Sequence, residues 1–163
     1  MTDSQPPAPE ETQALIAHIE ARYHGRHRED LIDLLPLVRK VEDVHWGDPD
    51  LPLGLADLVE DLGRDLERHM AMEESALFPL MLGVEPPMIL SAVAAMRRDH
   101  HGYRQGTKAL AALTRGFRPP EQACAAWLLL YARLARFAAD LDHHIHLEDD
   151  ILFPRFEPQE SRP

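Results

Sequence analysis

Cysteine is nearly missing: Cys124 is the single one among 163 residues. One thiol excludes an intrachain disulfide framework and any Cys-rich zinc or iron–sulfur site built by one chain. Basic residues are also in short supply, 17 Lys+Arg against 28 Asp+Glu, for a formal charge of −11. That balance offers no patch to neutralise phosphates and argues against a nucleic-acid partner. Long apolar runs are absent. The longest, Ala123 to Ala132, is about half the roughly 20 residues a membrane helix needs. Residues 1–12, MTDSQPPAPEET, have neither the basic nor the apolar region of a signal peptide. A cytoplasmic protein with no membrane association is the expectation. Strand signals are lacking too, since no stretch sustains apolar–polar alternation. What stands out instead is histidine: ten of them against eight glycines.

The length suits one domain. The Pro-rich stretch 1–12 reads as a disordered tail and 157–163 as a second tail, with a folded unit over 13–156. Turn-forming residues cluster at Trp46–Pro52, Gly83–Pro87 and Thr114–Pro120. Between them lie four segments rich in Leu, Ala, Glu and Arg, which predict helices near 13–46, 53–82, 87–113 and 120–152. Short connections make neighbours antiparallel, so the expected fold is an all-α, up-down four-helix bundle. Pro36 is expected to kink or restart the first helix.

Apolar stripes with helical spacing run through all four segments, and each carries histidine. The second passes through Leu62, Leu66, His69, Glu73 and Leu77, the fourth through Phe137, Leu141, His144, Glu148 and Leu152. The third includes Met96, His100 and Tyr103, and the first His24, His27, Leu31 and Leu34. A buried carboxylate must be neutralised, paired or bound to a cation. Two inward Glu among inward His, with no interior Lys or Arg on the stripes, favour a cation. The segments HMAMEESALFP (69–79) and HIHLEDDILFP (144–154) share His-x-x-x-Glu-x-x-x-Leu-Phe-Pro at an offset of 75, and His24 to His100 repeats it at 76. Two similar half-sites related by a pseudo-two-fold suit a dinuclear centre. The candidate ligands are His24, His69, Glu73, His100, His144 and Glu148, with Glu73 and Glu148 bridging. Imidazole and carboxylate without thiolate suit iron first, with manganese or zinc as alternatives. Counting from the loops levels His24, His69 and His100 but leaves His144 too deep, so the fourth helix must overhang or the connection before it must climb. His45 lies about 31 Å from His24 along a continuous helix and is left out. His18, His101, His143 and His146 are read as ordinary surface or boundary residues. His27, one turn from His24, is read as an ordinary residue too, its other readings being an outer partner or an alternative ligand.

The elements RYHGRHREDL, KVEDVH, HMAMEESALFP, MRRDHH, PPEQACAAW and DHHIHLEDDILFPR resemble the hemerythrin-like di-iron domain over about residues 13–156. The likeness is nearest to its repair-of-iron-centres subfamily. It implies a centre of two iron ions, oxo- or hydroxo-bridged, with terminal ligands at His24, His69, His100 and His144 and bridges at Glu73 and Glu148. It also implies a role in iron–sulfur cluster repair under nitrosative and oxidative stress, with damaged iron–sulfur proteins and a diatomic ligand, O2 or NO, as partners. A monomer or homodimer is expected. An oxygen or nitric-oxide sensor or carrier, or a nitric-oxide reductase, is the alternative. The sequence departs from the family in four places. A Pro-rich tail stands where members often carry a Cys-Cys domain, and Asp149-Asp150 replaces the usual Asn-Asn. His101 follows the third ligand in place of an acidic residue, and position 104 is Arg where oxygen-carrying hemerythrins have a fifth His.

Overall fold

The computed structural model describes residues 10–83 and 86–158. The expected tails over 1–12 and 157–163 fall mostly outside these residues, although the first helix begins one residue early, at Thr12. Four long helices account for the described chain. Helix α1 is built of Thr12–Ile19, Glu20–His24 and Gly25–Val44. Helix α2 comprises Leu55–Met72, Glu73–Leu77 and Phe78–Leu82. Helix α3 is Pro86–Leu113, and α4 joins Ala125–His146 to Leu147–Leu152, followed by a 3₁₀ turn over Phe153–Arg155. Helix α1 packs on α2 and α4, and α3 completes the ring against the same two. The fold is thus the up-down four-helix bundle that the stripes imply.

The stripes close into two apolar layers with a polar layer between them. One contains Leu34, Val38, Leu66, Leu134, Phe137 and Leu141 among others. The other gathers Leu15, Ile19, Phe78, Val93, Leu152 and Phe153 at the opposite end. Burying each such side chain contributes roughly 1.5–3 kcal/mol, so both flanks of the polar layer are firmly held. Helices α1 and α2 approach closely at Gly63, where an added Cβ would stand 3.0 Å from Leu31 Cδ2.

Pro36 neither ends nor restarts α1; helix runs without a break through Gly25–Val44. Proline removes the bond to the carbonyl of Ile32, and both residues lie on the solvent side, Ile32 being 72% exposed. A freed carbonyl there can hydrate, so the loss is tolerated. The fourth helix begins at Ala125, later than the expected 120. Residues 114–124 form a climbing connection through left-handed Arg115, Gly116 and Phe117 (φ 53°, 74° and 60°), with Thr114 Oγ1 accepting from Phe117 N at 3.0 Å. The climb and an overhang of α4 beyond α3 by about 9 Å together explain why His144 sits so deep.

Candidate metal centre

Three of the four helices widen into π-helical turns at the polar layer: Glu20–His24 in α1, Glu73–Leu77 in α2 and Leu147–Leu152 in α4. The last two each run directly into a Phe-Pro pair, Phe78-Pro79 and Phe153-Pro154. Proline has no N–H for the i−4 carbonyl and its ring crowds that oxygen. A wider turn just upstream absorbs the conflict, so the repeated Leu-Phe-Pro accounts for the paired bulges. Such bulges concentrate at functional sites, and here they carry His24, Glu73 and Glu148.

All six candidate residues converge, each at most 2% exposed. His24 Nε2 lies 3.2 Å from His144 Nε2, and His69 Nε2 lies 3.1 Å from His100 Nε2. Each carboxylate spans both pairs. Glu73 sets Oε2 3.4 Å from His24 Nε2 and Oε1 3.3 Å from His69 Nε2. Glu148 sets Oε1 2.9 Å from His144 Nε2 and Oε2 3.1 Å from His100 Nε2. Two overlapping groups result, His24–Glu73–His144–Glu148 and His69–Glu73–His100–Glu148, with the donor atoms of each within 4.8 Å of one another.

The donor set fits two cations. Both Glu73 oxygens and Oε2 of Glu148 have no hydrogen-bond partner among the described residues; their neighbouring imidazoles are close but out of line. No Lys or Arg is among the buried residues described. With nitrogen and oxygen ligands at roughly 2.0–2.2 Å from a metal, donor atoms of one coordination sphere fall about 3 Å apart, the spacing seen here. Two sets of two imidazoles share two carboxylates and contain no sulfur, a combination suited to iron, manganese or zinc.

Outside this layer, carboxylates orient three of the four rings. Glu74 Oε1 accepts from His24 Nδ1 at 2.8 Å, Asp149 Oδ1 from His100 Nδ1 at 2.8 Å, and Asp99 Oδ2 from His69 Nδ1 at 3.3 Å. Guanidiniums steady two of them: Arg28 donates to Glu74 and Arg104 to Asp149, each at 2.9 Å. Sequence reasoning passed over these outer carboxylates as partners. The one signal available is that each adjoins a candidate ligand, Glu74 beside Glu73, Asp99 beside His100 and Asp149 beside Glu148. One step along a helix turns a side chain by 100°, so each serves a ring on another helix. Aromatic rings close the layer, Phe78 stacked on His24 at 5.8 Å and Phe153 on His100 at 5.7 Å.

The remaining histidines lie elsewhere. His101, His143 and His146 are exposed, and His146 pairs with Asp150 at 2.6 Å. His45 meets Cys124 Sγ at 3.1 Å, well apart from the polar layer on α1. His27 is fully buried behind His144, with ring centroids 5.2 Å apart.

Without cations, the layer shares protons. Burial pulls the His24 imidazole down, but Glu148 and Glu73 outweigh it and hold it up to about 10. His100 is likewise pulled down by burial and raised by Asp149 and Glu148 to about 9. Burial works to raise Glu148, yet His144, His100 and His24 keep its carboxyl well below the usual range. His27 has no carboxylate of its own, and burial with His144 and His24 nearby pushes it down to about 2.

A four-helix bundle with a buried layer of shared histidine and glutamate donors defines a class of cation-binding helical proteins. Residues 15–156 match the hemerythrin HHE cation-binding domain, and the chain belongs to that family. Over 141 residues, 86% of this chain, it is 38% identical to a probable iron-sulfur cluster repair protein of Haemophilus influenzae, covering 63% of that protein. It is similarly 38% identical to the iron-sulfur cluster repair protein YtfE of Pectobacterium atrosepticum (86% of this chain, 64% of that one). With the Yersinia pseudotuberculosis protein of the same name, the identity is 39% over the same shares. The matched region thus spans a little under two thirds of these relatives. No helix among the described residues is long and apolar enough to cross a membrane.

Proposed function

We propose that this chain is a non-haem di-iron protein acting in the cytoplasm during nitrosative and oxidative stress, where it repairs or supplies iron to damaged iron–sulfur clusters. The observation that carries the reading is the double span of Glu73 and Glu148, each offering one oxygen to each histidine pair. On this reading His24 and His144 hold one iron, His69 and His100 the other, and both carboxylates bridge. Bound iron would supply ferrous–ferric electron exchange and open positions for nitric oxide, oxygen or water. The chain's own part is to preorganise the donors. Glu74, Asp99 and Asp149 fix ring orientation from outside, and the flanking apolar layers limit solvent.

The names of the relatives support repair, and so does Arg104. It stands where oxygen-carrying hemerythrins have a fifth histidine, and its guanidinium is turned to Asp149 rather than offering a ligand.

The test is transfer. Anaerobic ferrous-loaded protein is mixed with an apo iron–sulfur acceptor and sulfide, and cluster absorption is followed. Cluster formation limited by the iron carried on the protein is the expected result. Iron retained as a stable nitrosyl adduct after nitric oxide, with no transfer, would contradict repair in favour of a sensor or carrier. Catalytic release of nitrous oxide would favour a reductase.

A further inference from the structure

The internal repeat makes the layer nearly two-fold symmetric, and the matches extend past the candidate ligands. At the same offset as the repeat, Glu74 on His24 corresponds to Asp149 on His100. Arg28 behind Glu74 corresponds to Arg104 behind Asp149, and stacked Phe78 corresponds to stacked Phe153. The symmetry fails at one place. His69 has Asp99 at its Nδ1 and Tyr103 edge-on at 5.1 Å. Its counterpart His144 has Tyr23 stacked at 5.7 Å and His27 at 5.2 Å in the corresponding positions. His144 Nδ1 has no hydrogen-bond partner among the described residues, and neither nitrogen of His27 has one.

We infer that the two metal positions are unequal, and that the one between His24 and His144 is the exchangeable position from which iron is given up. This rests on the two-iron reading above. A ligating imidazole is made a stronger donor and held in place when its other N–H meets a carboxylate, and losing such a partner typically weakens metal binding by about 10–100-fold. The His69–His100 position has two such partners, Asp99 and Asp149. The His24–His144 position has one, Glu74. At His144 the place of Asp99 is taken by Tyr23, whose ring stacks on the imidazole, and His144 Nδ1 meets no carboxylate among the described residues, so the metal there is held less tightly.

The experiment loads the full chain anaerobically with two ferrous ions and mixes it with excess chromogenic ferrous chelator. Release is expected in two equal phases, one iron leaving about 10-fold or more faster than the other. His24→Gln should abolish the fast phase and leave one slow iron. Asp99→Asn, a half-exposed site with little bearing on folding, should accelerate the slow phase toward the fast one and leave the stoichiometry at two. Two irons leaving in a single phase, a fast phase surviving in His24→Gln, or an unchanged slow phase in Asp99→Asn would overturn the inequality while leaving the two-iron reading intact. A wild-type chain that never takes two irons would overturn both.

Discussion

Asp149 accepts a hydrogen bond from His100 Nδ1 at 2.8 Å although the two residues are 49 positions apart on different helices. Asp149 is nearly buried and also receives Arg104 and Arg97, so its carboxylate ties α4 to the α3 ring from outside the donor layer. Asp149→Asn keeps the shape and removes the charge. Metal affinity, read by competition with a chelator of known strength, is expected to fall about 10–100-fold with the helical circular-dichroism signal unchanged. Unaltered affinity would remove Asp149 from the account.

Glu73 is the more severe position, because its two oxygens serve both histidine pairs. Glu73→Gln should lower bound metal below two per chain, whereas Glu74→Gln should lower affinity and keep the stoichiometry. Elemental analysis of the two purified variants separates bridge from outer partner, and equal stoichiometries would contradict the distinction.

Protonation sets a pH dependence whose sign follows from His24 and His100. Held at about 10 and about 9 in the metal-free chain, both are above the 6.5 of an unfolded imidazole. Their contribution to stability is therefore full below pH 6.5 and is lost as pH rises through 9 to 10. Metal-free protein should melt at progressively lower temperature between pH 7 and 10, and metal-loaded protein should not, since its imidazoles no longer depend on protons. For the same reason metal uptake at pH 7 should release protons, and apparent affinity should rise over that range. Calorimetry in buffers of different ionisation enthalpy measures the release.

Phe153 is fully buried and stacks within 4° of parallel on His100. Phe153→Ala is expected to destabilise the fold by about 3–5 kcal/mol and to broaden the spectroscopic signature of the bound metal by freeing the ring. A melting curve like that of wild type would contradict this packing role.

Much of this was legible in the sequence, for a physical reason. A side chain on an apolar stripe must face the interior, so stripe position alone turns His24, His69, His100, His144, Glu73 and Glu148 inward, while their common level was legible for the first three histidines only. What stayed hidden depends on relations between helices. Glu74, Asp99 and Asp149 adjoin candidate ligands but point 100° away to rings on other helices, which a single-helix pattern does not describe. The π-helical turns arise where the chain relieves Pro79 and Pro154, and Pro36 passes without a break because the carbonyl it frees is on the wet side. Level counting exposed the mismatch at His144, while its solution, a climbing connection through Arg115, Gly116 and Phe117, needs backbone conformations that composition does not specify.

Metal content of the chain reconstituted anaerobically with ferrous iron, and of the His69→Ala/Glu148→Ala double variant treated the same way, tests the central claim most directly. The account predicts two irons per chain in the wild type and fewer than two in the double variant. None or one in the wild type, or two still held by the double variant, would contradict it.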